Sequence, residues 1–254
     1  MNLLAQANAT KLIDKYFYES ASEIDLETLL YAENLKLKEE PLYNCEGKII
    51  FDEETGIITV NSLSNDANQK RFTIGHEMGH FYNEKGKGSY RCGHHELYGT
   101  RRNLTREADA NDFAAELLMH EKWFVEYAKG KMLNAKLLIN TANYFGVSLS
   151  AASIRYAEIG THPAAVVMSK EGIIKWSFIN KRFPIQFIRW GKPVSDLSYT
   201  SDFFKGDPIP PEAEDIPARA WFRESYYIKD DDRVNEFNIP FTSYQSILTV
   251  LYFD

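Results

Sequence analysis

His76, Glu77 and His80 stand in the run RFTIGHEMGHF as an H-E-x-x-H sequence. On an α-helix, residues four apart are separated by about 6 Å of rise and share a face, so two imidazoles at this spacing can reach one tetrahedral ion. Glu77 lies beside that pair without being a ligand. From there its carboxylate can take a proton from a metal-activated water and deliver it to a departing amine. Zinc is the metal this donor set suits, because it lowers the pKa of bound water from about 16 to near 7 and polarises a carbonyl. Amide hydrolysis is the natural reaction class. A match to so short a motif arises by chance in about one chain of this length in a hundred, so the reading requires a third ligand from another element.

Glu107 is the expected third ligand. It stands in the first turn of the helical run TREADANDFAAELL. Asn111, four residues later on the same face, is suited to hydrogen-bond a ligating group. Asp109 is the rival, equally acidic, but it points about 200° away from Glu107 on this helix. The plainer alternative is that both acids complement the helix dipole.

The metal motif needs a helix, and the sequence supplies one. Asn65 or Asp66 can cap it, Ile74, Met78, Phe81 and Tyr82 form an apolar face, and Gly86 and Gly88 supply a stop. The helix beginning near Thr105 sends Ala110, Phe113, Ala114, Leu117 and Leu118 toward the core. Two helices are expected at the start, over residues 9–19 and 25–34, and two more over 134–144 and 149–158. KIIFD and GIITV, joined by EETG, read as a β-hairpin just before the motif helix, and one of its strands could pair with an extended peptide. After His162 the pattern turns to strand-like runs, PAAVVMS, GIIKWSF, ARAWFRESYYI and SILTVLYF. GDPIPPEAEDIP reads as a loop and KDDDR as a turn. These changes place a boundary near Gly160, with domains 1–160 and 161–254. The fold class is α+β: a zincin-like domain with a small antiparallel sheet and a helical bundle, then a smaller α+β domain carrying Trp176, Trp190 and Trp221 as core residues.

Composition narrows the partners. With 29 Lys and Arg against 36 Asp and Glu, the net charge of -7 gives no field to hold DNA, RNA or an anionic membrane. No run approaches 18 apolar residues, and MNLLAQANATKLIDK lacks the form of a signal peptide. Cys45 and Cys92 sit in no C-x-x-C pair and read as thiols of a reducing compartment, so a cytoplasmic location is expected. His94, His95, Tyr98 and Arg155 are candidates to stabilise an oxyanion, with no geometry to choose among them. Arg101, Arg102 and Arg106 could meet an acidic substrate or form a solvated face. ANYFGVSLSAASIRY has helix-turn-helix spacing at Ala142, Gly146 and Val147. Its second helix carries one arginine and no lysine, which favours a packed helical hairpin over a DNA reader.

RFTIGHEMGHF followed by EADANDFAAELLM closely resembles the ImmA/IrrE family of bacterial and phage metallo-endopeptidases, over roughly residues 20–160. FGVSLSAASIRY resembles the family's helical ending, while His120 replaces a proline common after L-L-M. The resemblance implies zinc held by His76, His80 and Glu107, with Glu77 as catalytic base. It also implies a protein substrate, a helix-turn-helix repressor, and a C-terminal domain that is sensory or docks substrate. The competing expectation is a non-proteolytic regulator whose zinc site is structural or sensing and which acts by binding a partner or DNA.

Overall fold

Asn2 opens the first helix, α1 (Leu3–Lys15), by accepting a hydrogen bond from the Leu4 N–H. The computed structural model describes residues 2–85, 90–91, 101–223 and 225–253. By packing, the chain divides into two units, Met1–Phe124 with Asn143–Ser148, and Val125–Ala142 with Leu149–Asp254. The division thus runs through the helical segment that precedes Gly160.

In the first unit a short 3-10 turn, Ala21–Glu23, leads to α2 (Leu26–Ala32), capped by Asp25. Strands β1 (Leu35–Glu40), β2 (Gly47–Phe51), β3 (Gly56–Asn61) and β4 (Tyr90–Arg91) form one mixed sheet in the order β1-β3-β2-β4. The hairpin expected from KIIFD and GIITV is β2 antiparallel to β3, with Ile49 opposite Ile58. It is not the sheet edge, however: β1 runs parallel along β3, and β4 pairs with β2 at Ile50 and Phe51. β1 was not anticipated: LKLKEE alternates Leu and Lys over only four residues before two glutamates, the shortest run that signals a strand.

Asp66 accepts from the N–H groups of Asn68 and Gln69 and so starts α3 (Ala67–Glu84). Its apolar face packs on β2 and β3, where the Phe51 and Phe81 rings meet edge to face at 5.4 Å. α4 (Arg101–Leu118) begins four residues before the expected start and packs along α3, with Tyr82 and Phe113 stacked at 5.3 Å. Met78, Phe81, Phe113 and Leu117 are fully buried, each contributing about 1.5–3 kcal/mol by removal from water. His120 marks the boundary between α4 and an additional helix, α5 (Glu121–Ala128). Its Nδ1 accepts from the Lys122 N–H and its carbonyl from Phe124.

α6 (Ala135–Phe145) and α7 (Leu149–Ile159) follow, separated by Gly146 in the left-handed region at φ +60°. In the second unit α7 packs on an antiparallel sheet of five strands, ordered β6-β5-β9-β8-β7. These are β5 (Ala165–Lys170), β6 (Ile173–Ile179), β7 (Glu214–Pro217), β8 (Arg233–Phe241) and β9 (Ser246–Tyr252). Two short helices, α8 (Tyr199–Lys205) and α9 (Arg219–Phe222), complete it. The run ARAWFRESYYI is therefore not a strand: its first part is α9, whose Ala220, Trp221 and Phe222 side chains enter the core. The strand there is β8, which sequence alternation missed because its buried positions include Glu236. Trp221 is buried, Trp176 is half-buried, and Trp190 is exposed with its indole N–H donating to Ser177. Among the described residues no helix is long and apolar enough to cross a membrane.

Candidate metal centre

The centre is built where α3 and α4 come closest. A Cβ on Gly79 would lie 2.8 Å from the Ala110 carbonyl oxygen and 2.9 Å from its Cα, and one on Gly75 would meet the Ala114 Cβ at 3.4 Å. Glycine at 79 therefore lets the two backbones touch, and alanines at 110 and 114 keep the α4 side equally low. That approach brings Glu107 over the histidine face of α3.

His76 Nε2 lies 3.2 Å from one Glu107 carboxylate oxygen, His80 Nε2 lies 3.5 Å from the other, and the two Nε2 atoms are 3.0 Å apart. One donor atom from each residue falls within 4.8 Å of the other two. His76 Nδ1 is 2.9 Å from Asn111 Oδ1. An amide oxygen can only accept, so the Nδ1 proton points at Asn111, and in the neutral ring, the form that binds a metal, the Nε2 lone pair is turned toward His80 and Glu107. Asp109 faces elsewhere, accepting from the Asn2 side chain at 2.7 Å. Burial pushes the His76 imidazole down, but Glu107 and Glu77 outweigh it and hold it above its ordinary value. His80 is lowered, first by burial. The imidazoles of His76 and then His80, facing its two oxygens, hold the Glu107 carboxyl far below the usual carboxylate range. Such a set of two imidazoles and an ionised carboxylate is a donor set for a divalent transition metal.

Glu77 is 3 % exposed, and its Oε2 has no hydrogen-bond partner among the described residues. Burial pushes its carboxyl up to about 7, opposed by His76 and reinforced by Glu107. An ionisable oxygen left bare in this position fits a site that holds a metal and its water beside it. Gly47, which sequence reasoning passed over, shapes this pocket. A Cβ there would lie 2.4 Å from Thr73 Cγ2 and 2.8 Å from Glu77 Oε1. A glycine opening a strand is a signal for close approach that could have pointed to it.

The remaining candidates separate clearly. Arg106 pairs with Glu84 at 3.0 Å, tying α4 to the end of α3. Arg155 is 1 % exposed and pairs with Glu158 at 3.6 Å, so it is a buried structural cation rather than an oxyanion donor or a phosphate contact. His120 Nε2 lies 3.6 Å from Glu116. Cys45 is a half-buried free cysteine. Cys92, His94, His95, Tyr98, Gly86 and Gly88, with the side chains of Arg101 and Arg102, lie outside the described residues.

No curated protein sequence matches this chain. Among solved structures, a Mycobacterium tuberculosis transcriptional regulator is similar over 98% of this chain and 75% of its own, with a TM-score of 0.60 at 12% identity, a likeness of fold. Residues 33–156 match the Peptidase M78 family through its IrrE N-terminal-like domain, and that span contains His76, Glu77, His80, Glu107 and Asn111. Residues 33–156 therefore form a domain of the ImmA/IrrE peptidase family.

Proposed function

We propose that this chain is a zinc-dependent, site-specific endopeptidase that hydrolyses a peptide bond in a regulatory protein, with a helix-turn-helix repressor as the substrate class. The observation that carries the reading is the convergence of His76, His80 and Glu107 donor atoms within 4.8 Å beside a buried Glu77 whose Oε2 is unpartnered among the described residues. His76, His80 and Glu107 would hold the zinc, and Asn111 would fix the His76 ring. Zinc, when bound, supplies Lewis acidity that makes water available as a nucleophile near neutral pH. Glu77 accepts the water proton as the oxygen attacks the carbonyl, then returns it to the amine as the C–N bond breaks. Its burial keeps the carboxyl near the point where both transfers are feasible.

The repressor assignment rests on the resemblance to the family and not on the site. In this reading residues 1–160 form a zincin-like catalytic domain, and residues 161–254 form a domain that senses a ligand or docks substrate. The enzyme acts in the cytoplasm.

Glu77→Gln separates this function from that of a regulator with a structural metal. The amide keeps the shape but cannot take a proton, so the variant should retain one zinc per chain while cleavage of a co-expressed candidate repressor falls about 10²–10⁴-fold. Unchanged cleavage would remove the enzymatic reading.

A further inference from the structure

The second unit contains a cavity of about 690 Å³ that the proteolytic reading does not use. Its size falls in the range of small-molecule sites, which run about 300–1,000 Å³. The inner wall is apolar and buried: Ile174, Ile185, Trp221 and Phe222 are each under 8% exposed. Trp221 is also fixed in direction. Its indole N–H donates to Glu236 at 2.8 Å, and that carboxylate, 1% exposed, also accepts from Ser198 and from the Thr200 N–H. The indole is thus held by a saturated polar network behind it, leaving the ring to line the cavity.

The rim is aromatic and cationic. Phe187, Tyr226 and Tyr227 are 61, 104 and 87% exposed, an unusual cluster of apolar rings to leave in water. Arg189, Lys192 and Arg223 line the same cavity, and among the described residues Asp196 is the one carboxylate there. Asp196 is neutralised by Lys205 at 2.9 Å. The Arg223 guanidinium is oriented on the wall by donating to Ser195 Oγ at 2.8 Å, and Ser195 is itself 7% exposed. Among the described residues, three cations thus surround one aromatic pocket in a protein whose net charge is -7.

We infer that this cavity binds a small aromatic anion, its ring system against Trp221 and beneath the rim rings, its carboxylate, sulfonate or phosphate at Arg223 and Lys192. Charge complementarity and a concave apolar wall favour such a ligand over a flat protein surface. The site is independent of the metal centre and stands whether or not the chain is a peptidase.

Two fluorescent probes with the same rings test it in the full-length chain. 8-Anilinonaphthalene-1-sulfonate carries the anion, and N-phenyl-1-naphthylamine lacks it. The sulfonate should bind at one saturable site per chain, with energy transfer from tryptophan, at least about tenfold more tightly than the neutral probe. Lys192→Glu with Arg223→Glu should abolish that preference while leaving the neutral probe's affinity and the melting temperature unchanged. Phe187→Ser with Tyr227→Ser should weaken both probes. Equal affinity for the two probes in the wild type, sulfonate binding indifferent to the charge reversals, or no saturable binding would each overturn the inference. So would dimerisation through this face, seen as a sedimentation shift that the charge reversals abolish.

Discussion

At the scale of the residue, the proposed chemistry depends on Glu77, which that proposal gives no ligand role. Glu77 occupies space that Gly47 leaves free: a Cβ at 47 would lie 2.8 Å from its Oε1 and 3.2 Å from its Cγ. Gly47→Ala should push Glu77 aside and reduce cleavage by about a hundredfold, the scale of a misplacement of roughly 1 Å in a catalytic group. Zinc content should be unchanged, since His76, His80 and Glu107 are not touched. Parallel cleavage assays and metal analysis on the variant check this, and equal loss of metal and activity would show a general collapse instead. The histidine pair is readable from sequence because residues four apart share a helical face, with Glu77 one residue along beside it. Glu107 was preferred to Asp109 on helical angle, and the two do face different neighbours, His76 and His80 for one and Asn2 for the other. Gly47 was not legible, because a glycine's contact is made by an atom it does not have and depends on a sheet register that the sequence does not state.

At the scale of the element, two contacts hold α3 where the chemistry needs it. The first is its crossing with α4. Gly79→Ala would set a methyl group 2.8–2.9 Å from Ala110 backbone atoms, and overpacking of this kind costs about 1–3 kcal/mol. Gly75→Ala meets the Ala114 Cβ and Cα at 3.4 and 3.5 Å and Leu118 Cδ1 at 3.7 Å, all ordinary contact distances, and should be close to neutral. Urea unfolding of both variants decides it, and equal destabilisation would contradict the proposed point of closest approach. The second contact is Glu33 at the end of α2, which accepts from Lys15 and Tyr16 near the end of α1, each at 2.5 Å, and from Tyr82 on α3 at 2.6 Å.

Burial opposes ionisation of Glu33, yet these donors outweigh it and hold the carboxyl below its ordinary 4.5. A depressed pKa stabilises the fold above the unfolded value and ceases to do so as pH falls through the folded value. Glu33→Gln should therefore cost about 2 kcal/mol at pH 7, and its difference from wild type should shrink as pH drops below about 4.5. Denaturant midpoints at pH 7 and in the acid range measure both, and a difference independent of pH would count against the ionised hub. The elements themselves were read well where a cap and an apolar stripe agree, as at Asp66 and α3. They were missed where buried positions are polar, as in β8 with Glu236, or where a short aromatic run can serve either geometry, as in α9.

At the scale of the whole molecule, the two packing units divide the helical segment between them. α7 packs on β5 and β6, with Ala152, Tyr156 and Ala157 buried, and the Asn180 side chain donates to the Ala157 carbonyl at 2.8 Å. A chain shortened to residues 1–160 should therefore lose protection in residues 149–159, seen as accelerated amide hydrogen exchange across α7 relative to the full-length protein. Unchanged exchange would mean that α7 is stable without the sheet. The sequence placed a boundary at the change from helical to strand-like pattern, which is where local periodicity shifts. Packing responds instead to which apolar face a helix buries, and that is settled only when distant strands assemble.

If His76, His80 and Glu107 close one metal site, metal content must depend on Glu107 and not on Asp109. The most direct measurement is zinc per chain by inductively coupled plasma mass spectrometry after exhaustive dialysis, for the wild type, Glu107→Ala and Asp109→Ala. One zinc is expected in the wild type and in Asp109→Ala, with loss of the metal in Glu107→Ala. A full equivalent retained by Glu107→Ala, or a metal-free wild type, would contradict the claim.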